Sequence, residues 1–329
     1  MALPLAERRT LGRSALSVTR LGLGTGSLGN LYRKVTDSDA RETVRAAWNA
    51  GVRYFDTAPL YGSGLAETRL GEALAEYPRT EFVLSTKVGR VLDPHGRADG
   101  LFVGAPALTP RFDFRREAVL RSLSESVARL RLDRIDIAYV HDPDDHYQEV
   151  LDTALPTLIE LRDQGVVRAV GVGMNHAPVL VRFLRECDLD CVLIANRYTL
   201  LDQEALVELL PMCLERQVGV VLGGVFNSGI LADPFLEPKF DYRPAPEAMV
   251  ARAKELSRLC SAHRVPLAAA ALQFAAAHPA VHSVLIGARS ASEVISAVDG
   301  MGTRIPALLW ADLRARDLIP AEAPTPTTE

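Results

Sequence analysis

The sequence contains few of the features that mark an exported or metal-binding protein. Only four of its 329 residues are cysteine, and they form neither a Cys-x-x-Cys pair nor a zinc-binding spacing. In a chain of this length, such cysteines are expected to be buried, reduced thiols. The N-terminal segment lacks the apolar core of a signal peptide. These absences predict a cytoplasmic protein without disulfides and without a metal site.

Long apolar runs and clusters of positive charge are also missing. The most apolar long stretch, 266–277, is too short to cross a bilayer and contains Gln273. The formal net charge is −4, and no basic cluster marks a nucleic-acid surface. We therefore expect no membrane and no nucleic-acid partner. The expected partner is a small molecule, and the expected state is a monomer or a small homo-oligomer.

What the chain does contain is a regular alternation of short β-branched runs with longer helix-like segments, repeated eight times. Examples are "VRYFDT" followed by "LAETRLGEALAEY", and "IDIAYVHD" followed by "YQEVLDTALPTLIELRDQG". This alternation predicts a parallel α/β sheet with helical crossovers. The nearly continuous apolar strands predict that both faces of the sheet are covered. Eight units favour a closed (β/α)₈ TIM barrel over an open sheet.

The remaining segments complete this prediction. The opening "RTLGRSALSV" predicts a β-hairpin beneath the barrel, and extra helices are expected near the C-terminus. No linker divides the chain, which predicts one domain over 1–329 with a disordered tail at 318–329. The connections at 88–114 and 223–246 are long and both follow strands. In a barrel, both would lie at the C-terminal face, where loops of this length are usually functional.

Polar residues interrupt the apolar runs where three neighbouring strands end. Asp56 ends the second strand, Lys87 the third and His141 the fourth, and Tyr61 follows in a glycine-rich turn. Each has an ordinary explanation alone, as a cap, a solvated lysine or a core histidine. Because the carboxyl ends of barrel strands meet at one face, all four side chains are expected to converge there.

These four groups are suited to moving a proton on or off a carbonyl or alcohol oxygen. A phenol with a pKa near 10 carries protons poorly at neutral pH. A nearby Lys87 ammonium is expected to lower the pKa of Tyr61, with Asp56 holding the ammonium in place. His141 is expected to hydrogen-bond the substrate oxygen. The predicted chemistry is general acid–base catalysis by Tyr61.

From about residue 8 to residue 315 the chain resembles the aldo-keto reductases. The segments "YFDTAPLYGSGLAE", "STKVG" and "YVHD" match the three that carry that family's catalytic tetrad. The resemblance implies that Asp56, Tyr61, Lys87 and His141 are the tetrad. It also implies a nicotinamide cofactor bound without a Rossmann domain.

The resemblance also implies where the cofactor lies, with several departures from the family's pattern. The family's Ser-Asn pair is Gly173 and Met174 here, and its strand-six Gln is Ala195. The aromatic that stacks on nicotinamide is also absent, so Asn175 and Phe226 are the expected substitutes. The implied cofactor positions are Gly24, Thr25, Gly26, Asn175, Phe226, Asn227, Gly287, Ala288, Arg289, Ser290 and Glu293.

Glu293 occupies the position where NADPH-preferring relatives carry an arginine. A carboxylate there would repel a 2′-phosphate and accept hydrogen bonds from a free ribose 2′-hydroxyl. This predicts NAD as the preferred cofactor, with NADP as the alternative. The competing interpretation is an ordinary first-turn helix glutamate, which the helix dipole favours.

Within the family, "GSLGNLYR", "DTAPLYGSGLAE" and "NRYTLLDQ" resemble the sugar and pyridoxal dehydrogenases: L-fucose or D-threo-aldose 1-dehydrogenase, L-galactose dehydrogenase and pyridoxal 4-dehydrogenase. This implies oxidation of an aldose at C1 to a lactone. The residues expected to meet substrate hydroxyls are Asp142, Asn196 and Tyr198. The alternatives are a pyridoxal 4-dehydrogenase, an NADPH-dependent aldehyde or ketone reductase and, in a different class, a cofactor-binding subunit without activity.

Overall fold

The computed structural model describes residues 7–94 and 100–326. Its centre is a closed barrel of eight parallel strands in which each strand pairs with its neighbours in the chain and the last pairs with the first. The strands are β1 Leu21–Gly24, β2 Tyr54–Asp56, β3 Val83–Val88, β4 Ile137–His141, β5 Ala169–Met174, β6 Cys191–Ala195, β7 Gly219–Gly223 and β8 Val281–Gly287. The predicted (β/α)₈ TIM barrel is confirmed.

Helices surround the barrel and connect its strands. The helix bounds are Asp37–Asn49, Leu65–Leu74, Arg116–Leu130, Tyr147–Glu149, Leu155–Asp163, Ala177–Glu186, Glu204–Val207, Leu209–Arg216, Glu247–Ala262, Leu267–Ala277, Ala291–Gly302 and Ala307–Ala315. A π-helical turn, Val150–Ala154, joins the fourth helix to the fifth. The predicted extra helices are those at Leu267–Ala277, before β8, and Ala307–Ala315.

The alanine-rich helix Leu267–Ala277 is buried on nearly all sides. Alanine is the strongest helix former, and Pro266 precedes the first turn, where a missing N–H costs nothing. A helix that is apolar all round belongs in a core rather than at a surface. Within 7–94 and 100–326, no helix combines the length and the apolar character that crossing a membrane requires.

The predicted N-terminal hairpin closes the amino-terminal end of the barrel. Arg8–Thr10 pairs antiparallel with Ser17–Thr19, and Leu11 and Leu16 join the buried cluster inside the barrel. The chain from Ser17 to Gly24 is therefore divided between the hairpin and β1. The division falls at Arg20, whose buried guanidinium donates to the carbonyl oxygens of Val281 and Ala276.

The two long connections lie at the opposite, carboxyl end. The first contains an antiparallel pair, Arg90–Asp93 with Thr109–Phe112, and the second contains Lys239–Phe240 with Arg243–Pro244. Both contribute residues to the cavities described below.

The expectation of a disordered tail from residue 318 is wrong for its first part. Leu318, Ile319 and Ala323 are buried, and the side chain of Arg314 donates to the Ala323 carbonyl oxygen at 2.9 Å. The apolar side chains at the start of the tail pack against the main core. Residues 327–329 lie outside the described residues.

Candidate active site

An ion pair lies at the centre of the barrel mouth. The Lys87 Nζ atom donates to Asp56 Oδ2 at 2.6 Å and to the Thr57 carbonyl oxygen at 2.8 Å. Ser85, two residues before Lys87 and on the same face of β3, donates to Asp56 Oδ1 at 2.7 Å. Both charged residues are almost fully buried, with 2% of Asp56 and 1% of Lys87 exposed. A buried pair with these additional hydrogen bonds is fixed in position, since a lost partner would leave an uncompensated charge.

Tyr61 is brought over this pair by the glycine-rich turn. Gly62 adopts a positive φ of 64°, and a Cβ atom on Gly29 would lie only 2.6 Å from the Tyr61 carbonyl carbon. Glycine at both positions therefore lets the turn approach the 3-10 helix Gly26–Gly29 closely. As a result, the Lys87 Nζ atom lies 4.7 Å from the centre of the Tyr61 ring.

His141 completes the group that the sequence predicted. It ends β4, and its ring lies 5.9 Å from the Tyr61 ring, centre to centre, in an edge-on arrangement. Burial, followed by the charges of Lys87 and Arg90, lowers the pKa of His141 well below the usual 6.5. The imidazole is therefore neutral at neutral pH. Among the described residues, its buried Nδ1 atom finds no hydrogen-bond partner.

The pKa of Tyr61 differs from the expectation in direction. Burial raises it well above 10, and the nearby carboxylates of Asp56 and Asp142 raise it further, while Arg90 lowers it. The expected lowering by Lys87 does not prevail, because burial has the largest effect and the Asp56 carboxylate, 2.6 Å from that ammonium, acts in the opposite direction. Tyr61 is consequently a protonated phenol at neutral pH.

Two adjoining cavities open at this point. One, of about 330 Å³, is lined by Tyr61, Lys87, His141, Arg90 and Asp142 together with mainly apolar side chains. The other, of about 420 Å³, extends from Asp56 and Tyr61 to the start of the helix Ala291–Gly302. We call the first the tetrad cavity and the second the trough. Both are bordered by Tyr61 and Tyr242, so a ligand in the trough reaches the tetrad.

Some of the predicted cofactor residues line the trough, one lines only the tetrad cavity, and others line neither. Those that line the trough are Gly24, Gly26, Phe226, Gly287, Arg289 and Glu293. Asn175 lines the tetrad cavity instead. Thr25, Asn227, Ala288 and Ser290 line neither cavity.

Three of these four residues are engaged in the protein's own hydrogen bonds. The Thr25 hydroxyl donates to the Asp56 carbonyl oxygen at 3.0 Å, and the Asn227 side chain bonds Thr199 and the Asn196 carbonyl oxygen. Ser290 caps the helix Ala291–Gly302 by accepting from the Glu293 N–H at 3.3 Å. Their contribution to a ligand site is therefore indirect.

Glu293 has a specific local environment at the end of the trough. Its carboxylate accepts from the backbone N–H of Arg289 at 2.9 Å and lies 3.5 Å from the Arg33 Nη2 atom. The side chain is 38% exposed. Glu293 thus presents a charged acceptor between two arginines, Arg33 and Arg289.

Of the residues expected to meet substrate hydroxyls, the structure brings only Asp142 to the tetrad cavity. Asn196 lines the trough, with a φ of 62° and only 1% exposure. Within the described chain, its Nδ2 and Oδ1 atoms are buried without hydrogen-bond partners. The Tyr242 side chain also interacts with this amide, and a buried amide has capacity for a ligand that carries an amide of its own.

Tyr198 was expected near the substrate, and that expectation is corrected. Its ring stacks on Phe274 at 5.2 Å in the core, only 1% of the residue is exposed, and it lines neither cavity.

Two residues at the site, Arg90 and Tyr242, were not predicted from the sequence. Arg90 directly follows "STKVG", and its place after a strand end could have suggested a role. Tyr242 lies at the tip of a two-residue hairpin turn, with a φ of 64°. Its position beside Tyr61 depends on the path of a long loop, for which the sequence carries no periodic signal.

Comparison with known proteins agrees with this arrangement. Residues 20–314 match the aldo/keto reductase family. The chain is 42% identical to a D-threo-aldose 1-dehydrogenase of Pseudomonas sp, over 93% of this chain and 96% of that protein. It is 41% identical to a pyridoxal 4-dehydrogenase of Microbacterium luteolum, over 97% and 100%. An L-galactose dehydrogenase of Arabidopsis thaliana is 29% identical over 88% and 86%.

A solved structure shows the same fold. The holo form of an aldo-keto reductase from Bacillus halodurans superposes with a TM-score of 0.77 at 26% identity, covering 96% of this chain and 97% of that one. The chain belongs to the aldo/keto reductase family and is an oxidoreductase that uses a nicotinamide cofactor.

Proposed function

We propose that the protein is an NAD-dependent dehydrogenase that oxidises the ring form of an aldose at C1, giving the lactone. The observation that carries the proposal is the joining of two cavities at Tyr61, one holding the buried tetrad and the other ending at Glu293. Support also comes from the aldose dehydrogenase that shares 42% identity over nearly the whole chain.

In this proposal, each tetrad residue has a distinct task. In oxidation, the Tyr61 phenol first loses its own proton to solvent, and the phenolate then takes the proton from the C1 hydroxyl while the neutral His141 donates a hydrogen bond to the same oxygen. The Lys87 ammonium, 4.7 Å from the centre of the Tyr61 ring, favours the phenolate form without bringing the pKa below 10, and Asp56 keeps the ammonium in place. Reduction uses the same groups in reverse, and the raised pKa of Tyr61 then keeps the phenol protonated, so that it has a proton to donate.

The trough has the features that a nicotinamide dinucleotide requires. Asn196 offers its buried amide near the tetrad, Phe226 an aromatic face, and Glu293 an acceptor for ribose hydroxyls. When bound there, the cofactor supplies the acceptor for the hydride from C1. The chain's contribution is to orient it and to move the proton.

Two specific observations favour other candidate functions. The 41% identity to a pyridoxal 4-dehydrogenase favours pyridoxal as the compound oxidised. Arg33 and Arg289, on either side of Glu293, favour NADPH and an aldehyde or ketone reductase, because guanidinium groups bind phosphate bidentately.

The test is turnover by the purified protein across cofactors and substrates. NAD⁺ and NADP⁺ are each combined with a panel of aldoses and pyridoxal, and reduced cofactor is followed by absorbance. The proposal expects an aldose with NAD⁺ to give the highest kcat/KM, with the lactone identified as product. A higher kcat/KM for pyridoxal, or activity only in reduction with NADPH, selects the corresponding alternative.

A further inference from the structure

A second ion pair lies in the tetrad cavity, and the catalytic scheme makes no use of it. The Arg90 Nη2 atom donates to Asp142 Oδ2 at 2.8 Å, and both residues line the cavity. The same Asp142 oxygen lies 3.5 Å from the Nε2 atom of His141. A carboxylate is thus positioned directly beside the imidazole that receives the reacting oxygen.

Asp142 is held firmly in this position. Its backbone N–H donates to the Gly173 carbonyl oxygen at 2.9 Å, which fixes the chain just beyond β4. Its φ of 43° lies in the left-handed region, which aspartate, asparagine and glycine tolerate better than other residues. Burial raises the pKa of Asp142, while the Arg90 charge lowers it.

Arg90 is held from the other side by the hairpin of the first long connection. Its guanidinium lies 4.4 Å from the centre of the Phe112 ring, on the opposite strand of that hairpin. Within the described residues, its buried Nε atom has no hydrogen-bond partner. Arg90 therefore fixes the orientation of the Asp142 carboxylate, and its Nε–H group remains available as a hydrogen-bond donor.

The other walls of the tetrad cavity offer few hydrogen-bonding groups. Apart from the tetrad, Asn175 and Tyr242, the other residues lining the cavity, such as Leu31, Phe102 and Leu193, offer no hydrogen-bonding side chain to a hydroxyl group. A carboxylate accepts several hydrogen bonds, so Asp142 has capacity beyond the bond to Arg90. An oxygen bound at His141 and a hydroxyl bound at Asp142 would lie on neighbouring carbon atoms of one ligand.

We propose that Asp142, aimed by Arg90, accepts a hydrogen bond from the hydroxyl on the carbon adjacent to the reacting carbon. The pair selects aldoses and 2-hydroxyaldehydes over their 2-deoxy counterparts. This rests on the proposed function only in taking His141 as the group that holds the reacting oxygen. It applies equally to oxidation and to reduction.

The test compares matched substrates that differ only in that hydroxyl. The oxidation pair is an aldose and its 2-deoxy form with NAD⁺, and the reduction pair is glycolaldehyde and acetaldehyde with NADH. A hydrogen bond to a charged group corresponds to a preference of about 10- to 100-fold in kcat/KM for the hydroxylated partner. Because both members of a pair meet the same Tyr61 and His141, general damage to the site cancels in the ratio.

Three variants locate the effect. Asp142→Gly removes the side chain without strain at positive φ and should abolish the preference. Asp142→Asn keeps a neutral acceptor and should give an intermediate value. Asp144→Asn removes a carboxylate two residues away that lines neither cavity, and it should keep the wild-type ratio.

The outcomes separate this proposal from the proposed function. Oxidation of an aldose and its 2-deoxy form with equal kcat/KM would overturn the proposal and leave the dehydrogenase function intact. A preference for glycolaldehyde that Asp142→Gly abolishes, without oxidation of any aldose, would support the proposal and overturn the function. Equal losses of kcat/KM for both members of a pair in Asp142→Gly would overturn the proposal, because Asp142 would then act only by positioning His141. Failure of the wild type to turn over either pair would overturn both.

Discussion

Replacing Glu293 with glutamine should shift cofactor preference toward NADP⁺. The carboxylate is 38% exposed, so its repulsion of a 2′-phosphate is only partly screened. Two like charges about 4 Å apart repel by about 4 kcal/mol at an effective dielectric of 20. Discounted for exposure, about 1 kcal/mol remains, which corresponds to roughly a fivefold preference.

A second effect acts in the same direction. In the wild type, Arg33 and Arg289 are paired with Glu293 at 3.5 and 3.9 Å. Glutamine leaves both guanidinium groups free for a phosphate while its amide oxygen still accepts from the Arg289 N–H. We therefore expect the ratio of kcat/KM for NADP⁺ to that for NAD⁺ to rise about tenfold in Glu293→Gln.

The assay is steady-state kinetics with both cofactors at low and high salt. The shift should shrink as salt rises, because the charges are partly exposed. Asp299→Asn, an exposed change on the same helix that does not line the trough, is the control and should leave the ratio unchanged. A Glu293→Gln ratio within about twofold of the wild type at low salt would refute the reasoning. Glu293 would then be a first-turn helix residue that accepts the Arg289 N–H.

Two further predictions concern the buried titratable groups. Lys87→Met unpairs the Asp56 carboxylate, raises the pKa of Tyr61 further and should move the kcat/KM profile for oxidation to higher pH; an unchanged pH profile in a still active variant would contradict the role given to Lys87. Burial lowers the pKa of His278 from 6.5 to about 4, so the folded protein binds a proton at this site less readily than the unfolded chain does. The stability of the fold is therefore lost as pH falls below 6.5. At pH 5, 1.5 units below 6.5, His278 should lower the free energy of unfolding by about 2 kcal/mol relative to pH 7. Urea unfolding of His278→Asn should not show this loss. Equal pH dependence in the variant and the wild type would count against the prediction.

The fold was predictable because it follows from periodicity. Eight alternations of apolar strand and amphipathic helix leave few architectures, and the strand ends of a barrel must meet. The convergence of Asp56, Lys87 and His141 followed from that geometry alone. Tyr61 followed from the glycine-rich turn that Gly62 permits.

What could not be predicted depends on packing and on loop paths. The direction of the Tyr61 pKa shift is set by burial, which sequence spacing does not report. Arg90 and Tyr242 reach the site through long connections with no periodic pattern. Tyr198 was misplaced because "NRYTLLDQ" does not reveal which side chains turn toward the core.

The start of the tail was misjudged for a related reason. Leu318 and Ile319 are two apolar side chains in a short segment, too few to produce a helical or strand period. They are nevertheless enough to pack against the core. That the whole chain forms one domain remains a prediction.

The central claim is that Tyr61 moves the proton at the reacting oxygen. It is tested most directly by measuring kcat for Tyr61→Phe alongside cofactor affinity by fluorescence titration. The ring fills the same space and only the hydroxyl is lost, so the affinity for the cofactor should be unchanged. Loss of a general acid or base predicts a fall in kcat of about 10²- to 10⁴-fold. A variant that binds the cofactor normally and keeps more than about a tenth of the wild-type kcat would contradict the account.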